Sequence, residues 1–256
     1  MISVITPVYN GCRHIESCIV NVIEQKCLDM EHIIIDGGST DGTVEIIKRY
    51  AERYGHIRWI SEKDKGQSDA MNKGIRMAGG DILGFLNVDD CYETGALHEA
   101  LDLIKGLPEP SLLVGNCNLW GDNGKFLYTN KPAHLELTQL LAADESMFPF
   151  PVNPSAYFYH KSLHDIIGMY DTNEHYTLDI DFIIRAAMYL KPFYVDKGFG
   201  NFRYIKGTKT FEDMKCDSGK KRFRQLIKKY RRKLPFGKRL KIFYFGTLGK
   251  LLHIMK

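Results

Sequence analysis

Two adjacent carboxylates, Asp89-Asp90, close an apolar run in Ile82-Leu83-Gly84-Phe85-Leu86-Asn87-Val88-Asp89-Asp90. Like charges side by side at the end of a buried strand repel each other and resist desolvation. A divalent cation shared with a polyphosphate ligand makes such a pair sensible. A hard cation takes carboxylate and phosphate oxygens together, and Mg²⁺ uses only one or two protein carboxylates. An acidic loop capping the helix that starts near Glu93 is the plainer explanation of the same residues. Asp179 and Asp181 flank Ile180 at a helix start. Negative charge is favourable there in its own right, and a base acting on an acceptor hydroxyl is the competing use. Residues two apart on a helix lie on different faces, so only one of the two can point into a site.

Two further segments carry candidate chemistry. In Pro7-Val8-Tyr9-Asn10, a Tyr just past a strand can stack on a nucleobase or simply occupy a surface turn. In Asp36-Gly37-Gly38-Ser39-Thr40-Asp41-Gly42, the glycines let the backbone approach a ligand, and Asp36 is a candidate acceptor for a base N–H. A turn followed by a helix cap explains Ser39 and Asp41 without any ligand, and explains Asp36 less well. The chain has no GxxxxGK[ST] and no GxGxxG, which lowers P-loop and dinucleotide readings.

The elements that must position these residues alternate. Strands are expected at Ile2 to Thr6, Glu31 to Asp36, Ile57 to Ile60 and Asp81 to Val88. Helical spacing runs through Ile15 to Ile23, Val44 to Tyr54 and Ser68 to Ala78. Such alternation argues for a parallel sheet covered by helices on both faces, with ligands beyond the carboxyl ends of the strands. Tyr9, Asp36, Glu62/Asp64 and Asp89-Asp90 all fall just past such ends. After residue 110 the pattern weakens. Leu112 to Asn118, Lys125 to Thr129 and Ala156 to Tyr159 read as strands, and Leu135 to Ala143 and Asp179 to Tyr189 as helices. Between them, residues 147–154 form a proline-punctuated loop.

Bulk numbers narrow the class. The chain has 256 residues and 44 % hydrophobic content, enough for one large α/β domain with an appendage. Six cysteines without CxxC pairing read as free thiols in a reducing compartment, with zinc a weak alternative. The first residues lack a basic segment and a cleavage site, and no apolar run approaches the roughly 18 residues needed to span a bilayer. A cytoplasmic protein is therefore expected. The net charge of +4 hides an asymmetry: residues 215–256 hold 15 Lys/Arg and one acid, leaving 20 bases and 30 acids in residues 1–214.

The motifs resemble those of family 2 glycosyltransferases. Ile5-Thr6-Pro7-Val8-Tyr9-Asn10, then Asp36 to Thr43, Lys65-Gly66-Gln67-Ser68-Asp69-Ala70-Met71-Asn72-Lys73-Gly74 and Gly80 to Asp90 follow the family's order. Gly168-Met169-Tyr170-Asp171 and Leu178-Asp179-Ile180-Asp181 resemble its acceptor-side motif. The likeness covers residues 1 to about 200. It implies a GT-A fold: a Rossmann-like nucleotide-binding sheet with helices on both faces over residues 1–110, a mixed sheet in the acceptor half over 111–214, and a basic C-terminal helical tail over 215–256. It also implies a nucleoside-diphosphate sugar donor, UDP by default, and inversion at the anomeric carbon. The donor residues it implies are Thr6, Val8, Tyr9, Asp36, Lys65, Gly66, Asn72 and Asp89. Asp90 would hold Mg²⁺ or Mn²⁺, and Asp179 would be the base, with Asp181 as runner-up. Two departures stand out. Asn87-Val88-Asp89 lacks the first acid of a DxD, and Leu178 replaces the usual acid before Asp179. Asn153-Pro154-Ser155 stands where many relatives carry His-Gln, and is expected to line the acceptor side.

The tail adds a partner. Phe223, Leu226, Ile227, Tyr230 and Leu234 recur at helical spacing among Lys and Arg. An interfacial helix on an anionic membrane surface fits this pattern, as does a helix packed on the acidic body or on another subunit. The first suits a saccharide acceptor on a polyprenyl carrier and a peripheral location on the inner face of the plasma membrane, in cell-surface polysaccharide synthesis. A homo-oligomer is compatible with the second, and the acidic remainder of the chain argues against nucleic acid. A nucleotidyltransferase would want a Gly-rich loop with Arg or Lys after the first strand, which Pro7-Val8-Tyr9-Asn10-Gly11 lacks. The non-enzymatic rival is a catalytically silent sugar-nucleotide-binding or scaffold subunit at the membrane.

Overall fold

The computed structural model describes residues 1–142, 149–207, 211–212 and 217–254, and of these the side chains of 217, 218 and 247–254 are set aside. The opening alternation folds as the spacing predicts. Strands β1 (Ile2–Val8), β2 (Met30–Asp36), β3 (Ile57–Ser61) and β4 (Ile82–Phe85) pair in parallel, in the order β3-β2-β1-β4. Helices α1 (Ile15–Glu24), α2 (Thr43–Ala51) and α3 (Gln67–Met77) connect them. Every residue of β1, β2 and β4 is buried, as expected of a parallel sheet covered on both faces. Side chains alternate across it. Ile5 packs with Met71 and Ile75 of α3, whereas Ile2 and Val4 face Cys18 and Val22 of α1 and Leu97 and Leu101 of α4 (Ala96–Lys105).

Strand β4 stops at Phe85, short of the Val88 expected from the apolar run. Leu86 still donates its N–H to the Ile5 carbonyl, but a turn then takes over in which the Asp90 N–H bonds the Asn87 carbonyl at 3.0 Å. That turn brings Asn87 and Asp90 together.

The second half continues the same sheet with mixed direction. Beyond β4 come β8 (Tyr157–His160), β6 (Leu112–Gly121), β9 (Phe193–Tyr204) and β5 (Cys91–Tyr92), with β7 (Phe126–Asn130) paired to β6. The pairs β4–β8, β8–β6 and β5–β9 are antiparallel, and β6–β9 is parallel. Within the expected helix at Leu135 to Ala143, whose last residue lies outside the described residues, stands α5 (Leu137–Leu140), and α6 (Leu163–Ile167) precedes α7 (Leu178–Tyr189). Met147 and Phe148 of the proline-punctuated loop lie outside the described residues.

Two helices close the chain, α8 (Asp217–Arg232) and α9 (Phe236–Ile254). The apolar face of α8 is not available to lipid. Leu226, Ile227, Tyr230 and Leu234 are buried in the same core as α3 and α7. Arg231 donates to the carbonyls of Leu141 and Ala142 at 2.7 and 3.0 Å. Packing on the body, not insertion into a bilayer, thus accounts for the 3–4 residue spacing of α8. Burial of side chains of this size contributes on the order of 1.5–3 kcal/mol each.

Candidate active site

A cleft of 2390 Å³ opens beyond the carboxyl ends of β1 and β4, and Tyr9, Asp89, Asp90, Asn153 and Asp179 all line it. The turn after β4 sets the acidic pair. Asp90 is buried, and its carboxylate accepts from Asn87 Nδ2 at 3.0 Å, Asn153 Nδ2 at 2.7 Å and the Arg203 N–H at 3.1 Å. Gln67 Nε2 in turn donates to Asn87 Oδ1 at 3.0 Å. Residue 87, where a DxD would carry an acid, is thus a neutral amide that donates to Asp90 where a carboxylate would repel it. Burial, and then the neighbouring Asp89 charge, push the Asp90 carboxyl up to about 7 despite these donors. Burial raises Asp89 as well, against the weaker pull of His14 and Arg203.

These carboxylates fit a hard cation that takes its remaining ligands elsewhere. Among the described residues there is no group of three His, Cys, Asp or Glu able to hold a metal by itself. The two carboxylates differ in how open they are to such a cation. Three donors already occupy its carboxylate, whereas Asp89 is the less buried of the two, with no side-chain donor within reach among the described residues. Asp89 is therefore the more open carboxylate, and Asp90 the one held rigid beside it.

Asn153 had no firm role in the sequence. Its side-chain oxygen caps the short 3₁₀ turn Pro154–Ala156, accepting from Ser155 N at 2.9 Å and Ser155 Oγ at 2.6 Å, while its amide clamps Asp90. An Asn before Pro after a proline-rich loop is a cap signal, and that was the only trace of it in the sequence. Gly200 of β9 passes close against Ser155, where a side chain would collide. This approach delivers the Arg203 N–H to Asp90.

The structure also separates the two acceptor-side acids. Asp181 is buried, accepts from Arg185 Nε at 2.7 Å and Tyr230 Oη at 2.6 Å, and does not line the cleft. Asp179, in the first turn of α7, lines the cleft and, among the described residues, accepts one bond, from Tyr157 Oη at 2.8 Å. Desolvation pushes its carboxyl up to about 6, against the opposing pull of that hydroxyl. This departs from the ordinary carboxylate value of about 3.9 expected of a free Asp, yet leaves the group ionised at neutral pH.

A family model, glycosyl transferase family 2, matches residues 3–164. A PGL/p-HBAD biosynthesis glycosyltransferase of Mycobacterium tuberculosis is 33% identical over 188 residues, covering 73% of this chain and 69% of that protein. The chain belongs to glycosyl transferase family 2. An uncharacterized glycosyltransferase of Bacillus subtilis, EpsJ, is 38% identical over 145 residues, covering 57% of this chain and 41% of that one. Among solved structures, S. aureus TarS 1-349 in complex with UDP-GlcNAc superposes with a TM-score of 0.64 at 19% identity, over 82% of this chain and 60% of that one. The Pyrobaculum calidifontis mannosyltransferase PcManGT, in complex with GDP-Man and Mn²⁺, gives 0.64 at 19%, over 83% and 59%. The fold is GT-A, a mixed α/β architecture with a helical C-terminal region.

Within this glycosyltransferase the donor positions implied by the motifs divide. Val8, Tyr9, Gly66 and Asp89 line the cleft, and the Tyr9 side chain is 66% exposed into it. Thr6 does not: it is buried and bonds His32 Nε2 at 2.9 Å, beside Cys18. Asn72 is also committed elsewhere, clamping the Tyr170 backbone through both N–H and carbonyl at 3.0 and 2.8 Å. It ties α3 to the Gly168–Asp171 segment. Asp36 is buried and organises its own loop, accepting from the Gly38 and Ser39 N–H groups, both at 3.0 Å, and from the Ser61 and Ser39 hydroxyls. The Lys65 side chain is exposed outside the cleft, while Asp64, which bonds the Gly66 N–H at 2.8 Å, lines it. Gly66 has φ of +116°, a conformation that favours glycine at this wall.

Proposed function

We propose that this glycosyltransferase moves a sugar from a nucleoside diphosphate, UDP by preference, to a hydroxyl of a saccharide acceptor with inversion, in cell-surface polysaccharide synthesis. One observation carries the reading: Asp89-Asp90 at the end of β4 and Asp179 at the start of α7 line the same cleft, and Asp181 does not. Val8 and the exposed Tyr9 ring supply a platform for the nucleoside. Asp89 is the residue that would hold Mg²⁺ or Mn²⁺, with Asp90 fixed behind it by Asn87, Asn153 and the Arg203 N–H. Bound there with the donor diphosphate, such a cation supplies neutralisation of charge on the leaving phosphate. Asp179, ionised above about pH 6, accepts the proton of the acceptor hydroxyl. The Tyr157 hydroxyl fixes which carboxylate oxygen faces the cleft.

The solved neighbours' ligands, UDP-GlcNAc in one and GDP-Man with Mn²⁺ in the other, support a nucleotide-sugar donor and a divalent cation. The test is thermal stability of the full chain against UDP, dTDP and GDP, each with Mn²⁺ or EDTA. A ligand bound only by the folded state raises the melting temperature. A metal-dependent rise with one nucleotide is expected; no rise with any of them would sink the donor site.

We also propose a lipid-linked acceptor and a peripheral membrane location, with α9 in place of α8 as the membrane element. No helix among the described residues is long and apolar enough to cross a membrane. Phe236, Leu240 and Tyr244 recur four residues apart on α9 and are 79%, 60% and 60% exposed, with Lys238 and Lys241 between them. This is the pattern of a helix lying in an anionic interface. Co-sedimentation with phosphatidylglycerol vesicles should fall sharply in Phe236→Ser/Leu240→Ser. Unchanged sedimentation would remove α9 from this role.

A further inference from the structure

Helix α8 buries one face in the core and turns an adjoining face to the cleft. Lys220, Arg224 and Lys228, four residues apart, are exposed along one line of the helix, and all three line the cleft that holds Asp89 and Asp179. Among the described residues none of the three forms an ion pair, whereas Lys229, off that line, reaches Asp181 at 3.8 Å. The row stands on the acceptor side. The Arg222 guanidinium stacks on the Tyr176 ring at 3.9 Å, Phe223 meets Phe150 edge-on at 5.7 Å, and Tyr230 bonds Asp181. The Arg222 and Tyr230 contacts fix α8 against the segment that presents Asp179, and Phe223 fixes it against the loop that leads to Asn153.

Three cations in a row along one wall of a partly enclosed cavity reinforce each other's potential and concentrate anions there. A neutral saccharide gains little from them. The donor diphosphate has its own place at the β4 end. We infer that the acceptor carries a phosphoryl group, and that Lys220, Arg224 and Lys228 receive it while Asp179 faces the sugar hydroxyl. This rests on the donor and base assignment proposed above. It narrows the acceptor from any saccharide to a phosphorylated one, whether the phosphate is borne by a lipid or by a soluble sugar.

The test is calorimetric titration of the full chain with farnesyl phosphate, farnesol and glucose 1-phosphate, and separately with UDP plus Mn²⁺. Wild type should bind farnesyl phosphate and not farnesol. Arg224→Glu/Lys228→Glu should weaken that binding by roughly a hundredfold, and Arg224→Gln/Lys228→Gln by about tenfold, from the loss of two solvent-screened charge contacts and, in the first, their reversal. UDP affinity should stay unchanged in both. If glucose 1-phosphate binds as tightly as farnesyl phosphate, the site is supported with a soluble source; if only farnesyl phosphate binds, with a lipid one. Equal binding by wild type and both variants would overturn the inference. So would parallel loss of UDP binding, which would assign the row to the donor. A wild type that binds farnesyl phosphate but no nucleotide would support the anion site while defeating the donor reading, so the two failures are distinguishable.

Discussion

Tyr157→Phe isolates the one hydrogen bond that tunes the proposed base. The ring is fully buried, stacked on Phe182 with centroids 5.9 Å apart and tilted against Tyr159 at 6.4 Å, and Phe retains all of that packing. What is lost is the hydroxyl that donates to Asp179 Oδ1 at 2.8 Å. Desolvation lifts the Asp179 carboxyl to about 6 while this hydroxyl holds it down. A hydrogen bond to a charged group contributes about 1.5–3 kcal/mol, which is about one to two pKa units. The acid limb of kcat/KM should therefore move from near pH 6 in wild type to about pH 7–8 in the variant. Activity at pH 6 should drop by about 5- to 50-fold, and at pH 9 the two enzymes should agree within about twofold. Folding carries the same sign. A carboxyl whose pKa is raised on folding contributes stability that is complete below its unfolded value near 4 and lost as pH rises through 6. Asp179→Asn should accordingly abolish turnover with donor affinity retained, and stabilise the fold above pH 6 with no gain at pH 4. An acid limb that stays at pH 6 in Tyr157→Phe, or a loss of activity that high pH does not restore, would refute Asp179 as the base.

The remaining predictions follow from the acidic pair, its clamp and the tail. Asp89→Asn removes the charge that helps lift Asp90 toward 7. In EDTA it should raise stability by about 1–2 kcal/mol above pH 7 and by nothing below pH 4, read from thermal melts across pH, while abolishing metal-dependent nucleotide binding. Asn153→Ala takes away the 2.7 Å donor to Asp90 and the cap on Ser155; nucleotide affinity with Mn²⁺ should fall about tenfold or more, with a stability cost of about 1–3 kcal/mol in urea titration. Ile227→Ala, at a position 3% exposed, should cost about 2–5 kcal/mol in the same titration. A cost below about 0.5 kcal/mol would mean that α8 is not part of the core.

How much was legible in the sequence follows from how local each signal is. The β1–β4 alternation is written in contiguous apolar runs bounded by turn residues, so both the elements and the rim they share were readable. Strand β9 was not, because Gly198 and Gly200 and the pair Asp196-Lys197 break its apolar pattern. Its register against β6 also shifts twice. Missing β9 hid the Arg203 N–H and with it the reason Asp90 is locked. Helical geometry dictates that Asp179 and Asp181 diverge, but which one faces the cleft depends on Tyr230 and Arg185, one of them almost fifty residues away. Thr6 and Asn72 sit inside motifs whose contacts here are internal, so motif membership alone did not place them in the cleft. In α8 the periodicity was legible and its partner was not, because an apolar stripe has the same spacing whether protein or lipid covers it.

Charge segregated along the chain becomes apposed in the fold. The body carries the acid excess and residues 215–256 the basic one, yet α8 is both a layer of the core, through Leu226, Ile227 and Tyr230, and a cationic wall of the cleft, through Lys220, Arg224 and Lys228. One helix thus couples stability to the proposed acceptor site. A truncation at residue 214 would expose the core around Phe182 and Ile183 and remove that wall in a single step. Loss of activity on truncation would therefore not identify a membrane role for the tail. Point changes separate the three contributions, because Leu226 is buried in the core and does not line the cleft, Arg224 and Lys228 line the cleft, and Phe236 and Leu240 lie on the exposed face of α9. If charge reversal at Arg224 and Lys228 leaves the urea midpoint fixed while changing ligand affinity, the basic excess belongs to recognition and not to folding.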